Sequence, residues 1–284
     1  LLRRHAESLG LPEGFSVLDQ SDAADVMDLV RQEHASSLAG RRRFPRKATL
    51  LDLYSRSVNT RRPLTDSIAD VAPWCADDHE QIAAICRGYV ARKRQLGLVD
   101  FDDLLLYWRA AALDEGIGPQ LASGLDHICV DEYQDVNALQ VDILRALRGH
   151  GPHLTVVGDD AQAVYGFRGA SPQHLLDIDR VFADIATVKL EGNYRSSQAI
   201  LDVANAVSDA APKGFTTRLR SHASPGERPQ LVRCADEDAQ VDAVCEQVLA
   251  HREEGVALRE QAVLVRTAHH SDLLELELSR RRIP

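Results

Sequence analysis

With 284 residues, 44% hydrophobic and 27% charged, the chain is long enough for two domains with their own cores and ordinary in composition for a globular protein. No apolar run approaches the ~20 residues of a membrane span and no signal peptide precedes the first predicted helix, so a membrane is excluded as partner. The five cysteines are odd in number and form no C-x-x-C pair, which argues against zinc and a disulfide framework and fits a reducing cytoplasm; the net charge of −10 excludes a uniformly basic nucleic-acid binder.

In chain order, residues 15–19 read as a strand end. From Ser21 the pattern turns helical, with Val26, Leu29 and Val30 on one face and Ser21 or Asp22 as cap. Residues 40–78, broken by Pro45, Pro63 and Pro73, read as short helices and loops. Within them, residues 41–62 set eight cations (Arg41, Arg42, Arg43, Arg46, Lys47, Arg56, Arg61, Arg62) against Asp52, a local charge of +7. Interleaved with Phe44 and Tyr54, such a stretch can track a phosphate backbone; by itself it reads rather as a solvated loop with a charge run. Asp77, with Glu80 three residues on, is predicted to cap a helix whose Ile82, Ile85, Cys86, Tyr89, Val90 and Leu96 follow i, i+3, i+4 spacing. The acids of Asp100-Phe101-Asp102-Asp103 suit a helix N-terminus.

Further along, strands over 128–130, 154–157 and 188–190 each lead into polar residues. A helix capped by Asn137 with Gln140 follows the first, burying Leu139, Ile143, Leu144 and Leu147 and stopping at Gly149. Ser171-Pro172 starts another helix, and Ile200, Leu201, Ala204 and Val207 mark a third that ends before Pro212. Two more strands are predicted at 231–234 and 262–265, with a helix over about 238–250 between them. Alternating strands and helices argue for parallel α/β layers.

The chemistry lies where those strands end. The blocks are Val130-Asp131-Glu132-Tyr133-Gln134-Asp135, the run from Val157 to Ala170 with Gln162, Tyr165, Phe167 and Arg168, and Leu190-Glu191-Gly192-Asn193-Tyr194-Arg195. In open α/β sheets ligands bind beyond the carboxyl ends of the strands. A strand-end Asp-Glu pair serves metal-assisted phosphoryl transfer, one carboxylate holding Mg²⁺ and the other orienting the attacking water. A lone Asp-Glu is also satisfied by an acidic turn; Gln134 and Asp135 in the same turn, with the next block about 25 residues on, count against that. Gln162 both donates and accepts hydrogen bonds. Tyr165 and Phe167 alternate in what reads as an extended or loop segment and can present rings to one side, and Arg168-Gly169 signals an exposed turn. His269-His270 show no metal-ligand spacing and read as surface, as does Arg266 at a strand end.

In order and spacing these blocks resemble motifs II, III and IV of the superfamily 1 helicases of the UvrD/Rep/PcrA type; Asp100 to Leu105 is similar to their motif Id, and the strand at 262–265 to motif IVa. The resemblance implies a RecA-like P-loop NTPase fold, a parallel sheet flanked by helices with a mainly helical 1B insertion. Its implied boundaries are 1–24 for the end of segment 1A, 25–97 for 1B, 98–187 for the return of 1A, and 188–284 for the first part of 2A. It makes Asp131 the magnesium acid, Glu132 the catalytic base, and Gln162 the reader of the γ-phosphate that signals to the DNA side. Tyr194 becomes the adenine platform and Arg195 a γ-phosphate contact, while Tyr165, Phe167 and Arg168 hold single-stranded DNA. Many relatives carry Trp where Phe167 stands and a larger residue at Gly166, which implies less stacking area here. Arg41, Arg42 and Arg43 fall in 1B, which contacts DNA.

The implied activity is an ATP- and Mg²⁺-dependent DNA helicase acting 3′ to 5′ on single strands and single-strand/duplex junctions. The rivals are a non-catalytic DNA-binding module and the helicase arm of a helicase–nuclease. None of the four lysines follows a glycine, so the Gly-Lys-Ser/Thr phosphate loop is absent, and motifs V and VI are absent too. The expectation is an internal fragment that is inactive by itself.

Overall fold

The computed structural model describes residues 2–12, 14–34, 44–211, 214 and 217–283. Arg41, Arg42 and Arg43 lie outside these. The fold is α/β and rich in helix. Two compact units divide the chain: Leu1–Glu191 with Ala206–Arg218, and Gly192–Asn205 with Leu219–Pro284. No described helix is long and apolar enough to cross a membrane.

The first unit opens with 3-10 turns, strand β1 (Ser16–Val17) and helix α1 (Gln20–Glu33). Asp19, not Ser21 or Asp22, caps α1: its extended backbone lets the carboxylate accept the Asp22 amide at 2.8 Å. Ala23, Val26, Met27 and Val30 form the buried face, and Leu29 turns out to solvent because the helical period carries it off that stripe. Helices α2 (Lys47–Thr60), α3 (Leu64–Val71) and α4 (His79–Leu96) complete an all-helical core with Leu50, Leu53, Ile68, Ile82, Ile85 and Tyr89 at its centre. Asp77 does not cap α4, and its predicted box with Glu80 does not form. The 3-10 turns of Pro73–Asp78 run straight into the helix, so the first amides are shielded by the preceding turn.

Strand β2 (Leu98–Val99) pairs parallel with β1 and hands the chain to α5 (Phe101–Leu113). The capping box at its start is complete: Asp100 accepts the Asp103 amide at 2.8 Å and Asp103 accepts the Asp100 amide at 3.1 Å. Lys93, 1% exposed, sets its ammonium 2.5 Å from both carboxylates, and the Tyr89 hydroxyl donates to Asp100 at 2.7 Å. The ammonium also lies 4.4 Å from the centre of the Tyr89 ring. Burial pushes the Asp103 carboxyl above its ordinary range, with Lys93 opposing that shift. A buried ammonium between two carboxylates and an aromatic face thus ties the helical core to the start of α5.

After α6 (Ile117–Ser123), strand β3 (His127–Val130) pairs in parallel with β4 (His153–Val156), residue for residue from His127↔His153 to Val130↔Val156. Helix α7 (Ala138–Arg148) lies between them, capped as its sequence predicts by Asn137 and Gln140, with Leu139, Val141, Ile143 and Leu147 buried. Short helices α8 (Gln173–Leu176) and α9 (Ile178–Val181) supply Leu175 and Ile178 to a core shared with Tyr133, Val136, Val141 and Phe182. Pro172 precedes α8 as expected.

The second unit pairs β5 (Gly192–Asn193) in parallel with β6 (Arg220–Ser221) and includes the first part of α10 (Gln198–Asp209), then α11 (Glu237–Glu253) and α12 (Asp272–Arg280). The expected continuous sheet is not formed: the described strands make three separate parallel pairs. Residues 188–190, 231–234 and 262–265, predicted as strands, lie outside the described strands, and Leu264 stands 95% exposed. An apolar β-type run signals a need for burial, whereas a strand exists only where a neighbour completes its ladder.

Candidate nucleotide and nucleic-acid site

Beyond β3 the ladder continues for one more step. Val157 donates to the Val130 carbonyl and Tyr133 to the Val157 carbonyl, each at 2.8 Å, so Asp131 and Glu132 bulge from a fixed base. Glu132 sits at φ 52°, a left-handed conformation that costs a non-glycine residue about 1–2 kcal/mol. The Asp131 carboxylate accepts the Glu132 amide at 2.9 Å and steadies that turn. Both acids are exposed.

Gln134, only 1% exposed, joins the two turns. Its Nε2 donates to the Glu132 carboxylate at 2.6 Å and its Oε1 accepts the Asp159 amide at 3.0 Å. Asp159 in turn accepts Gln162 Nε2 at 2.8 Å and the Ala161 amide at 3.1 Å. The result is a continuous chain from Glu132 through Gln134 and Asp159 to Gln162. Gly158 is required for it, since a Cβ there would lie 2.9 Å from Gln134 Oε1. Asp131 and Gln162, expected as site residues, therefore share one strand-end surface with Glu132. Gln134 and Asp159 carry the connection without having been assigned a role from sequence. The signal that could have found them is an amide side chain inside an otherwise acidic turn facing a glycine.

Asp131 keeps one carboxylate oxygen outside the amide bond it accepts, on an exposed strand end. No group of three or more His, Cys, Asp or Glu side chains converges among the described residues. That donor set fits Mg²⁺, which keeps several waters and takes one or two carboxylates rather than a protein cage.

Of the extended or loop segment expected, the structure takes the second form, a 3-10 turn at residues 166–168, and the rings of Tyr165 and Phe167 neighbour one another at 5.9 Å. Phe167 is 71% exposed. The Arg168 guanidinium lies 5.2 Å from the Tyr165 ring and 5.5 Å from the Phe167 ring. The turn thus offers a cation and two π-faces to solvent, a combination suited to unstacked bases.

The basic stretch is different. Among its described cations, Lys47 pairs with Asp25 and Arg61 with Asp142. Arg56 reaches Asp70 at 3.4 Å, and Arg62 meets Asp66 at 3.2 Å and Asp70 at 2.8 Å. Phe44 and Tyr54, expected to interleave with these cations on a nucleic acid, pack into the helical core instead, Tyr54 edge-on to Tyr89 at 5.3 Å. Their ring area is worth more buried than wet.

In the second unit, the Asn193 side chain accepts the amides of Arg195 at 3.0 Å and Ser196 at 2.8 Å, an Asx turn that projects Tyr194 and Arg195. Tyr194 is 80% exposed on the edge of β5 and stacks on His222, with centroids 4.7 Å apart and planes at 14°. His222, missed in the sequence because nothing local marks it, is held by its amide donating to the Asn193 carbonyl at 2.7 Å. Arg195 is exposed. His269 and His270 are exposed, as expected of surface residues.

Comparison with known proteins agrees with this layout. The UvrD/REP helicase N-terminal domain matches residues 1–183, and the UvrD-like helicase C-terminal domain matches residues 188–284. ATP-dependent DNA helicase PcrA of Staphylococcus epidermidis is 30% identical over 293 residues, covering 100% of this chain and 38% of the relative. ATP-dependent DNA helicase Rep of Salmonella typhimurium is 29% identical over 287 residues, covering 100% of this chain and 41% of the relative. The chain thus spans about two fifths of the length of these curated relatives. With its two parts matching the two domains of one family, whose fold is RecA-like α/β, the chain belongs to the UvrD/Rep helicases.

Proposed function

We propose that this chain is part of an ATP-dependent DNA helicase that couples ATP hydrolysis to 3′ to 5′ movement on single-stranded DNA and at single-strand/duplex junctions. The observation that carries this reading is the hydrogen-bonded chain Glu132–Gln134–Asp159–Gln162, which joins a strand-end acid pair to the loop bearing the exposed Tyr165–Phe167–Arg168 turn. Hydrolysis and a base-stacking surface meet in one short network, as a motor requires. Residues 1–24 and 98–187 are assigned to domain 1A, 25–97 to 1B and 188–284 to the beginning of 2A. The protein is placed in the cytoplasm.

Glu132 acts as the base that orients the attacking water, and Asp131 would hold Mg²⁺, which when bound would supply charge neutralisation at the phosphates. Gln162 senses the γ-phosphate from the end of the network. Tyr194 supports the adenine, with His222 behind it, and Arg195 supplies a planar charged donor to the γ-phosphate. Arg41, Arg42 and Arg43 add phosphate contacts from 1B. The chain by itself is inactive, because none of its lysines follows a glycine to cradle phosphates.

Glu132→Gln in the full-length protein tests the assignment. ATP binding is expected to persist while turnover falls about 10²-fold or more. Arg195→Ala should likewise lower turnover with little change in DNA affinity. Near-normal turnover in either variant, measured with saturating single-stranded DNA, refutes the corresponding role.

A further inference from the structure

The aromatic turn does not stand alone. Its backbone rests on the C-terminal end of α2, in the segment the sequence marks only as basic. Arg56 donates to the Gly166 carbonyl at 3.2 Å. Gly169, at φ 81°, lies so close that a Cβ there would meet Thr60 Cγ2 at 3.1 Å and Asn59 Cβ at 3.4 Å. Beside it, Ala170 forms an antiparallel bridge with Asn137.

Asn59, 6% exposed, sits at the centre of this junction. Its Nδ2 donates to Asp102 at 2.7 Å, to the Ser55 carbonyl at 2.9 Å and to the Ser55 hydroxyl at 3.1 Å. Its Oδ1 accepts Asn137 Nδ2 at 2.9 Å. The orientation is forced from both ends. Asn137 Oδ1 already accepts the Gln140 amide at 2.9 Å, so only its Nδ2 is left to face Asn59, and a flipped Asn59 would set oxygen against the Asp102 carboxylate. Asn137 directly follows the acid turn and caps α7. The turn 131–137 is therefore gripped on two sides, by Gln134 toward Asp159 and by Asn137 toward Asn59.

We propose that Asn59 is a positioning residue for the coupling of DNA binding to ATP turnover: it locks the seat of the aromatic turn to the end of the acid turn, so that load on Tyr165 and Phe167 reaches Glu132. The inference rests on the helicase reading above. A rigid seat transmits a small displacement, whereas a loosened one absorbs it.

The test is single-strand-stimulated ATP turnover of the full-length protein. Asn59→Asp places a carboxylate against Asp102 and removes the donor. DNA stimulation is expected to fall about fivefold or more, with unstimulated turnover and KM for ATP within about twofold of the parent. Adding Asp102→Asn restores a donor–acceptor pair of reversed sense, and Asn59→Asp/Asp102→Asn should regain most of the stimulation. Full stimulation in Asn59→Asp, or no recovery in the double variant, overturns the proposal. Should Asn59→Asp fail to fold, Asn137→Ser carries the test: serine keeps the helix cap but has no amide to offer Asn59. It should lose stimulation alike, and undiminished stimulation overturns the proposal. A parent protein whose ATP turnover ignores DNA would overturn the helicase reading itself, and with it this one.

Discussion

Helix α2 and the aromatic turn that rests on its end both carry cations, and the two regions use them in opposite ways. Lys47, Arg56, Arg61 and Arg62 on and after α2 are taken up by Asp25, Asp70, Asp142 and Asp66 of the same chain. Arg168, on the turn, leans on two exposed rings instead. A count of charges along the sequence makes the first region look like the nucleic-acid surface. Paired with carboxylates, these four cations release few counterions on meeting a phosphate backbone, and counterion release is what gives such a surface its affinity. The smaller region, with one cation and two rings, is the more open to a ligand.

The most internal of the described cations gives the largest expected effect. Lys93→Ala would leave Asp100 and Asp103 buried together, and a loss of about 3–5 kcal/mol in denaturant unfolding of the first unit is expected. Lys93→Met, which keeps the stem but not the charge, should be nearly as harmful; if it proved neutral, the ammonium would not be what holds those acids.

The ring of Phe167 comes next. Phe167→Ala should weaken single-stranded DNA binding by about 1–3 kcal/mol at every salt concentration, with the salt slope nearly unchanged. Fluorescent-oligonucleotide titrations would check this, and normal binding would remove the turn from the DNA surface.

Arg61→Ala and Arg62→Ala sharpen the comparison from the other side. Both guanidinium groups are about half exposed, so about 0–1 kcal/mol of stability is at stake, and the slope of log K against log salt should not move. Arg41, Arg42 and Arg43, replaced by Glu, should flatten that slope. If the Arg61 and Arg62 variants flattened it as much, the ion pairs would be breaking for DNA and the contrast between the two regions would fail.

The smallest effect concerns cations engaged in the second unit. Hydrogen bonds from Arg280 and Arg281 hold the Glu277 carboxyl down to about 2, below its ordinary 4.5. A depressed carboxyl contributes stability above its unfolded value and loses it as pH falls toward the folded one. Protection of the α12 amides, taken relative to their intrinsic exchange rate at each pH, should therefore fall between pH 4.5 and about 2, and a helix indifferent to that window would show the pairs to be inert.

Local sequence determined the helices, the cap of α7 and the order of the chemical blocks. Asn137 with Gln140 is legible because a cap satisfies amides only three residues away, and the parallel pairing of β3 with β4 follows from the helix between them. The Asp131–Glu132 turn could be read because a strand end places its neighbours without help from distant residues. What the sequence could not decide was everything that depends on a partner far along the chain. The cations of α2 find acids up to 81 residues away, and the apolar runs at 188–190, 231–234 and 262–265 do not take up strand structure. Gln134 acquired its role only when Gly158 came against it, and Asn59 only when Asp102 and Asn137 closed on it from two other helices. Pairing in space assigns the function of a polar side chain, and a linear pattern records only that the side chain is polar.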